Sequence, residues 1–224
     1  IPGRRNAGEE FPVTRFPGRR DEPAAVMGRL YIALLHYPVY NRRKEVVATA
    51  VTNLDIHDIA RAAMTFGVGR FYIVTPVEEQ RELVRRIADH WRKGFGSRYN
   101  PSRKEAFHTL AVVPSLEEAQ GDIAGETNMR PVTVATGASL NGPFLRFSEM
   151  REHIRTRPEP RLILFGTGWG LAEEVVKAAD HRLEPIRGDS EYNHLSVRSA
   201  ASIVLDRIAT GDGHERVTTP ERVP

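Results

Sequence analysis

Three stretches of this chain carry residue types whose spacing could do chemistry. The first is Phe165-Gly166-Thr167-Gly168-Trp169-Gly170-Leu171, a loop with a glycine at every second position between an apolar run and a helix-forming run. Glycine admits positive φ and lets backbone approach a ligand closely, so the loop reads either as a ligand cradle or as a tight strand-to-helix turn. It is not a phosphate loop, because Leu171 and Ala172 stand where Lys and Ser or Thr are needed. A dinucleotide fingerprint sits on the first strand with an acid about 20 residues on; this loop follows the fifth strand-like run. Trp169 is placed to pack on a ligand, on a partner subunit or into the core. The second stretch, Asn53 onwards, sets His57 and Arg61 on a helix; Arg61 is either an available cation or the partner of Asp58 or Asp55, and His57 reads as a surface histidine. The third, Tyr192-Asn193-His194-Leu195-Ser196-Val197-Arg198-Ser199-Ala200, gathers an amide, an imidazole, a hydroxyl and a guanidinium. Asn193 and Ser196 either orient a ligand or cap the helix that follows.

Composition removes other chemistries. There is no cysteine among the 224 residues, which excludes disulfides, cysteine zinc sites, iron–sulfur clusters and a cysteine nucleophile. No apolar run approaches the roughly 18 residues that span a bilayer, and the Arg- and Pro-rich start lacks the apolar core of a secretory signal. A cytoplasmic location fits, with no membrane partner. The net charge is only +3, and among 32 basic residues only Lys44, Lys93, Lys104 and Lys177 are lysines. Arginine suits phosphate binding and base stacking, but a genomic compositional bias explains the ratio equally well.

The elements that must position these residues alternate. Strand-like runs are Leu30–Leu35, Phe71–Val74, Leu110–Val113, Val132–Ala135 and Leu162–Phe165, with a weaker one at Arg182–Ile186. They are short and apolar, as strands covered on both faces are. Between them, Asn53 caps a helix reaching Phe66 with Gly67 closing it. Thr75 with Glu78 and Ser115 with Glu118 have capping-box spacing, and Leu171–Ala179 and His194–Ala209 form the last helices. The alternation predicts a parallel α/β sheet. Residues 1–26, with four prolines and nearly balanced charge, read as a disordered extension or linker, 27–210 as the folded domain and 211–224 as a flexible tail.

A basic segment adds a candidate RNA surface. Arg81, Arg85, Arg86, Arg92, Lys93, Arg98, Arg103 and Lys104 face only Glu82 and Asp89 in the same stretch, with Trp91, Phe95 and Tyr99 interleaved and Gly94 and Gly96 loosening the loop. Cations contact phosphate and aromatics stack unpaired bases; a solvated helix face with core aromatics is the plainer reading. Arg42, Arg43 and Lys44 can extend the same surface.

Taken in order, the segments from Thr52 to Thr75, Gly166 to Leu171 and Tyr192 to Ala200 resemble the motifs of the SPOUT (α/β-knot) RNA methyltransferases. Further segments, His36-Tyr37-Pro38-Val39-Tyr40-Asn41, Asn53-Leu54-Asp55-Ile56-His57-Asp58 and Glu184-Pro185-Ile186-Arg187-Gly188, resemble a bacterial branch of that family sometimes fused to a tRNA guanine-N1 methyltransferase. The resemblance covers about Arg29 to Ile208. It implies a parallel-sheet α/β fold with a C-terminal trefoil knot, a homodimer, and S-adenosylmethionine (SAM) bound in the late loops. By that resemblance the cofactor contacts are Thr136, Gly137, Ala138, Phe165, Gly166, Thr167, Gly168, Trp169, Gly170, Leu171, Pro185, Ile186, Gly188, Asn193, His194, Leu195 and Ser196, with each site borrowing from both subunits. Arg61 matches the family's motif arginine and is the expected catalytic cation, with Ser196 and Asn193 orienting ribose or cofactor. Arg198 is expected to bind phosphate, together with Arg42, Arg43, Arg85, Arg92, Lys93 and Arg98.

The expected activity is 2′-O-ribose methylation of RNA, tRNA ahead of rRNA, the poor hydroxyl nucleophile being helped by a base or cation. Absence of cysteine removes the usual route to 5-methylpyrimidines. Leu54-Asp55-Ile56 replaces the glycines that follow the motif Asn in 2′-O-methylating relatives, and the Asn-to-Arg spacing is one residue shorter. Base-nitrogen methylation therefore stays open, as does a non-catalytic RNA-binding module that keeps the cofactor pocket.

Overall fold

The computed structural model describes residues 30–209 apart from Glu191; the extension at 1–26 and the tail at 211–224 lie outside the described residues. In chain order the elements are β1 (Leu30–Leu35), β2 (Val39–Tyr40), β3 (Val46–Val47), α1 (Asn53–Thr65), β4 (Arg70–Val74), α2 (Glu78–Arg92), α3 (Phe95–Tyr99), α4 (Pro101–His108), β5 (Leu110–Val113), α5 (Leu116–Thr127), β6 (Val132–Ala135), α6 (Phe147–Thr156), β7 (Arg161–Gly166), α7 (Glu173–Ala178), β8 (His181–Arg182) and α8 (Val197–Ala209).

Six strands form one parallel sheet in the order β5-β4-β1-β7-β6-β8. The central strand shows why. All six residues of β1 are buried, and they alternate between two cores. Leu30, Ile32 and Leu34 meet α1, α2, α4, α6 and α8 on one face; Tyr31, Ala33 and Leu35 meet α5 and α7 on the other. A strand covered on both faces has no polar side to show, hence the unbroken apolar run. The chain leaves β1 towards β4 on one side, while β7 occupies the other. Beyond the carboxyl ends at such a reversal lies the crevice where open α/β sheets hold ligands.

Local expectations mostly hold, with instructive exceptions. Gly67 closes α1 with φ +66, and Ser115 Oγ accepts from Glu118 N at 3.3 Å to start α5. The cap of α1 is Thr52, one residue before the expected Asn53: its Oγ accepts from Asp55 N at 3.2 Å. Thr75 makes no capping box; its Oγ accepts from Val77 N at 3.4 Å and α2 starts later, at Glu78. The strand expected at Arg182–Ile186 stops at Arg182, because Leu183 and Glu184 turn to pair with Leu145 and Pro185 cannot donate. The segment around Gly94 and Gly96 is not a loose loop. It is helical, and Gly96 is buried.

Candidate functional site

A cleft of about 1280 Å³ opens beyond the carboxyl ends of β1, β7 and β6. That exceeds the roughly 300–1,000 Å³ usual for a small-molecule site, leaving room for a cofactor and an entering acceptor. It is walled by the exit of β6 (Thr136 to Asn141), the exit of β7 (Phe165 to Leu171), the turn after β8 (Arg182 to Ile186) and the approach to α8 (Asn193 to Arg198), with residues between Tyr40 and Asp55 completing the wall.

The β7 exit is shaped for close approach. Gly168 has φ +59 and Gly170 φ +99, the left-handed region that L side chains avoid. A Cβ on Gly168 would lie 2.7 Å from Tyr40 O, and one on Gly166 2.5 Å from Leu171 N. The loop is zipped to the β2–β3 ribbon: Trp169 N donates to Tyr40 O at 2.8 Å, Tyr40 N to Gly170 O at 2.9 Å and Ala172 N to Pro38 O at 3.1 Å. Tyr40 Oη accepts from Glu173 N at 3.1 Å, fixing the start of α7. Trp169 itself is 60% exposed, which rules out core packing and leaves its indole for a ligand or a partner.

Beneath the loop runs a hydrogen-bonded chain. Thr167 Oγ donates to Leu35 O at 3.0 Å and lies 2.5 Å from Thr49 Oγ. Thr49 Oγ in turn is hydrogen-bonded to His36 Nδ1 at 3.1 Å. The buried Nε2 of His36 has no partner. Burial pushes its pKa down from 6.5 to about 4, outweighing the opposite pull of the Asp55 carboxylate and of the Thr49 and Ala50 backbone.

The α1 side of the cleft holds an ion pair that sequence reasoning missed. Asp55, 6% exposed, takes Thr52 Oγ on Oδ2 at 2.6 Å and Arg198 Nη1 on Oδ1 at 3.2 Å. Arg198 Nε also lies 3.5 Å from Asp58 Oδ2. The pair ties the start of α8 to the start of α1. Thr52, Asp55 and Arg198 all line the cleft.

Sixteen expected cofactor residues, all but Gly188, line this one cleft. Gly188 sits on an exposed turn outside it. Asn193 and Ser196 line it too, and Ser196 also starts α8, its Oγ accepting from Ser199 N at 3.3 Å. Arg61 is not brought to the cleft of its own chain. It lies two turns along α1 from Asp55, exposed, on the helix side that carries exposed Leu54 and Met64. Two other arginines line the cleft: Arg198 on the α1 side, and Arg182, which donates to Asn141 O at 2.8 Å.

The expected RNA contacts divide. Arg42 and Arg43 are exposed on a tip braced by Asn41, whose Oδ1 accepts from Arg43 N at 2.8 Å and Glu45 N at 3.1 Å. Arg98 and Lys93 are exposed. Arg92 is corrected to a structural role: its guanidinium donates to Phe107 O at 2.8 Å and to Leu110 O, closing α4 onto β5. Arg85 is held by Glu78 at 2.7 Å and Glu82 at 3.5 Å. His57 is not a free surface group; its ring packs edge-on against Trp91 and Phe107, and burial lowers its pKa. Among the described residues no cluster could hold a metal ion, and no helix is long and apolar enough to cross a membrane.

Residues 29–210 match the family model described as SAM-dependent RNA methyltransferase. A tRNA (guanine-N(1)-)-methyltransferase from Oleidesulfovibrio alaskensis is 47% identical over 179 residues, 80% of this chain but 41% of that protein. The chain thus spans about two fifths of the length of such relatives. An uncharacterized protein from Aquifex aeolicus is 37% identical over 179 residues and is covered over 87% of its length. Among solved structures, a probable methyltransferase from Bordetella pertussis Tohama I aligns with TM-score 0.57 at 16% identity, covering 83% of this chain and 97% of that one. The SpoU methyltransferase AviRb from Streptomyces viridochromogenes, in complex with AdoMet, aligns with TM-score 0.51 at 17% identity, covering 89% and 62%. At these identities the structural likeness speaks for the fold.

Proposed function

The chain belongs to the SAM-dependent RNA methyltransferase family, and on that premise we propose that its cleft holds SAM in the β6, β7 and β8 exits and methylates a nucleotide of tRNA. The observation that carries this is the convergence of sixteen residues from three separate loops on one cavity whose two glycines admit no Cβ. SAM supplies a methyl group already activated on sulfonium. Everything else falls to the chain: backbone groups of the three loops hold the cofactor, and side chains on the α1 and α8 side orient the acceptor.

Two acceptors are considered. The ribose reading needs a cation at the 2′-oxygen, and Arg61 reaches a cleft only if another subunit's α1 lends it. The cleft of a single chain offers a carboxylate instead. Asp55 can take the proton that an N–H of a base must lose, with Arg198 holding it in place. Relatives named tRNA guanine-N1 methyltransferases point the same way; those names belong to proteins nearly twice as long. We favour a base nitrogen, with the ribose hydroxyl second. A protein fused or bound to a tRNA guanine-N1 methyltransferase accords with the length of those relatives.

Three structural proposals accompany this reading. A homodimer is supported by exposed Leu54 (62%) and Met64 (45%) beside Arg61, and by Trp169 (60%) and Leu195 (47%) at the cleft mouth. A trefoil knot is supported by the path of the chain: residues 183–184 pair with Leu145 beyond β6, and the chain then crosses back to lay α8 on α1 and β7. A folded unit at 27–210 and a cytoplasmic site of action complete the proposal.

The test is incubation of purified protein with methyl-labelled SAM and bulk tRNA or rRNA, followed by nucleoside mass spectrometry. Label on a base nitrogen of tRNA is expected. Label on a ribose would move the assignment to the second reading, and no label in any RNA would refute the function.

A further inference from the structure

At the far end of α2 the chain builds a small aromatic ledge that the cleft does not use. Two glycines make it possible. A Cβ on Gly94 would lie 2.8 Å from His90 O, and one on Gly96 2.7 Å from the Trp91 indole and 2.9 Å from the His90 ring. With hydrogens there instead, α3 lies directly on the last turn of α2. Ser97 Oγ donates to Gly94 O at 2.7 Å, and Asn100 Oδ1 accepts from Arg103 N at 3.0 Å to start α4. Trp91 is held beneath by Phe107 and His57, with the Arg103 guanidinium 4.7 Å over its ring. The ledge is therefore built, not floppy.

What it presents is unusual for a surface. Phe95 is 74% exposed and Tyr99 76%, their rings 6.1 Å apart and 21° from parallel. Lys93, Arg98 and Lys104 are exposed around them. Between positions 89 and 108 five Lys or Arg stand against Asp89 and Glu105 alone. Open ring faces amid positive charge match one kind of partner: an unpaired base with its phosphates.

The ledge is also remote. The first turn of α2 touches the cleft wall, Gln80 Oε1 accepting from Val51 N at 2.7 Å beside cleft-lining Thr52. The 15 residues of α2 then carry the chain roughly 22 Å away at about 1.5 Å per residue.

We propose that Phe95 and Tyr99 form a stacking site for one or two unpaired bases of the same RNA whose target nucleotide enters the cleft, with Lys93, Arg98 and Lys104 on its phosphates. This rests on the RNA methyltransferase reading and deepens it. The substrate is a folded RNA with a single-stranded segment roughly 20 Å from the methylated position, a span set by the length of α2. A short fragment that fills only the cleft lacks this anchor.

The experiment uses the full chain and two labelled RNAs, a hairpin with an unpaired tail and the same hairpin with its tail paired. Affinity is read by fluorescence anisotropy at fixed salt for the wild type, for Phe95→Leu with Tyr99→Leu, and for Phe95→Tyr with Tyr99→Phe. Leucine keeps apolar area without a stacking face. The leucine pair is expected to weaken the tailed RNA about ten-fold or more while paired-tail RNA, SAM affinity and melting temperature stay unchanged; the aromatic exchange keeps full affinity. Equal affinity of the leucine pair and the wild type for the tailed RNA would overturn the ledge while leaving methyl transfer intact. A leucine pair that changes oligomeric state and not RNA affinity would make the ledge a protein interface and equally overturn it. A wild type that binds neither RNA would sink the functional reading and the ledge together.

Discussion

Replacing His36 by Asn should convert a pH-sensitive protein into a less sensitive one, by an amount the structure sets. His36 is fully buried and neutral, its Nδ1 hydrogen-bonded to Thr49 Oγ; its Nε2 faces no partner. In the unfolded chain the imidazole titrates at about 6.5, in the folded chain at about 4. The sign follows from proton counts. Below pH 6.5 the unfolded state takes up a proton that the folded state refuses, so stability falls with falling pH until about pH 4, where the folded state protonates too. Above pH 7 the term vanishes. The gap between 6.5 and 4 corresponds to about 3 kcal/mol at full development, and about 2.5 kcal/mol at pH 4.5. Asn keeps an N–H near the position of Nδ1, so the link to Thr49 and Thr167 survives, at the cost of a small cavity. The assay is urea denaturation of both proteins from about pH 7.5 down to 4.5. The variant starts less stable, and the two curves should converge by about 2.5 kcal/mol as pH falls; other titrating groups cancel in the difference. Parallel curves would refute the neutral, buried His36.

Other consequences follow from the same geometry. Gly168→Ala puts a Cβ 2.7 Å from Tyr40 O at φ +59, a strain of about 2 kcal/mol, and should weaken SAM binding about 30-fold by calorimetry while leaving the sheet intact. Arg198→Ala leaves the Asp55 carboxylate without its ion-pair partner; about 1–2 kcal/mol of stability should go, since Arg198 is partly solvated, and adding Asp55→Asn should recover part of it in denaturation experiments. Both single variants should lose methyl transfer more than SAM affinity. Arg61→Ala should bind SAM normally; if a dimer shares its sites, subunits carrying Arg61→Ala mixed with subunits carrying Gly168→Ala should regain transfer that neither homodimer shows.

The parallel sheet was legible because buried strands must be apolar throughout: all five main runs matched to within a residue, and Leu30–Leu35, Leu110–Val113 and Val132–Ala135 matched at both ends. The loops expected to hold a cofactor came from the family resemblance, and sixteen of their seventeen named residues meet at one cleft. What escaped has physical reasons. The β2–β3 ribbon has two-residue strands, too short for any period to register, yet it buttresses the glycine loop through Tyr40 and supplies Thr49. Gly94 and Gly96 suggested looseness, whereas each marks a place where backbone and rings pack too closely for a Cβ. Arg92 looked like a phosphate ligand, since sequence cannot reveal that its guanidinium is spent on two carbonyls. Asp55 was noted only as a partner for Arg61; a contact with Arg198, 143 positions away, depends on tertiary structure alone. Arg61 shows the converse limit, a motif residue whose own chain gives it nothing to act on.

The account stands on the claim that the loops after β6, β7 and β8 make a SAM site. Calorimetric titration of SAM into the wild type and into Gly168→Ala tests it most directly. Saturable binding at one site per chain, weakened about 30-fold by the added methyl, is the predicted result. Equal affinity in both proteins, or no heat of binding in the wild type at any cofactor concentration, would contradict it.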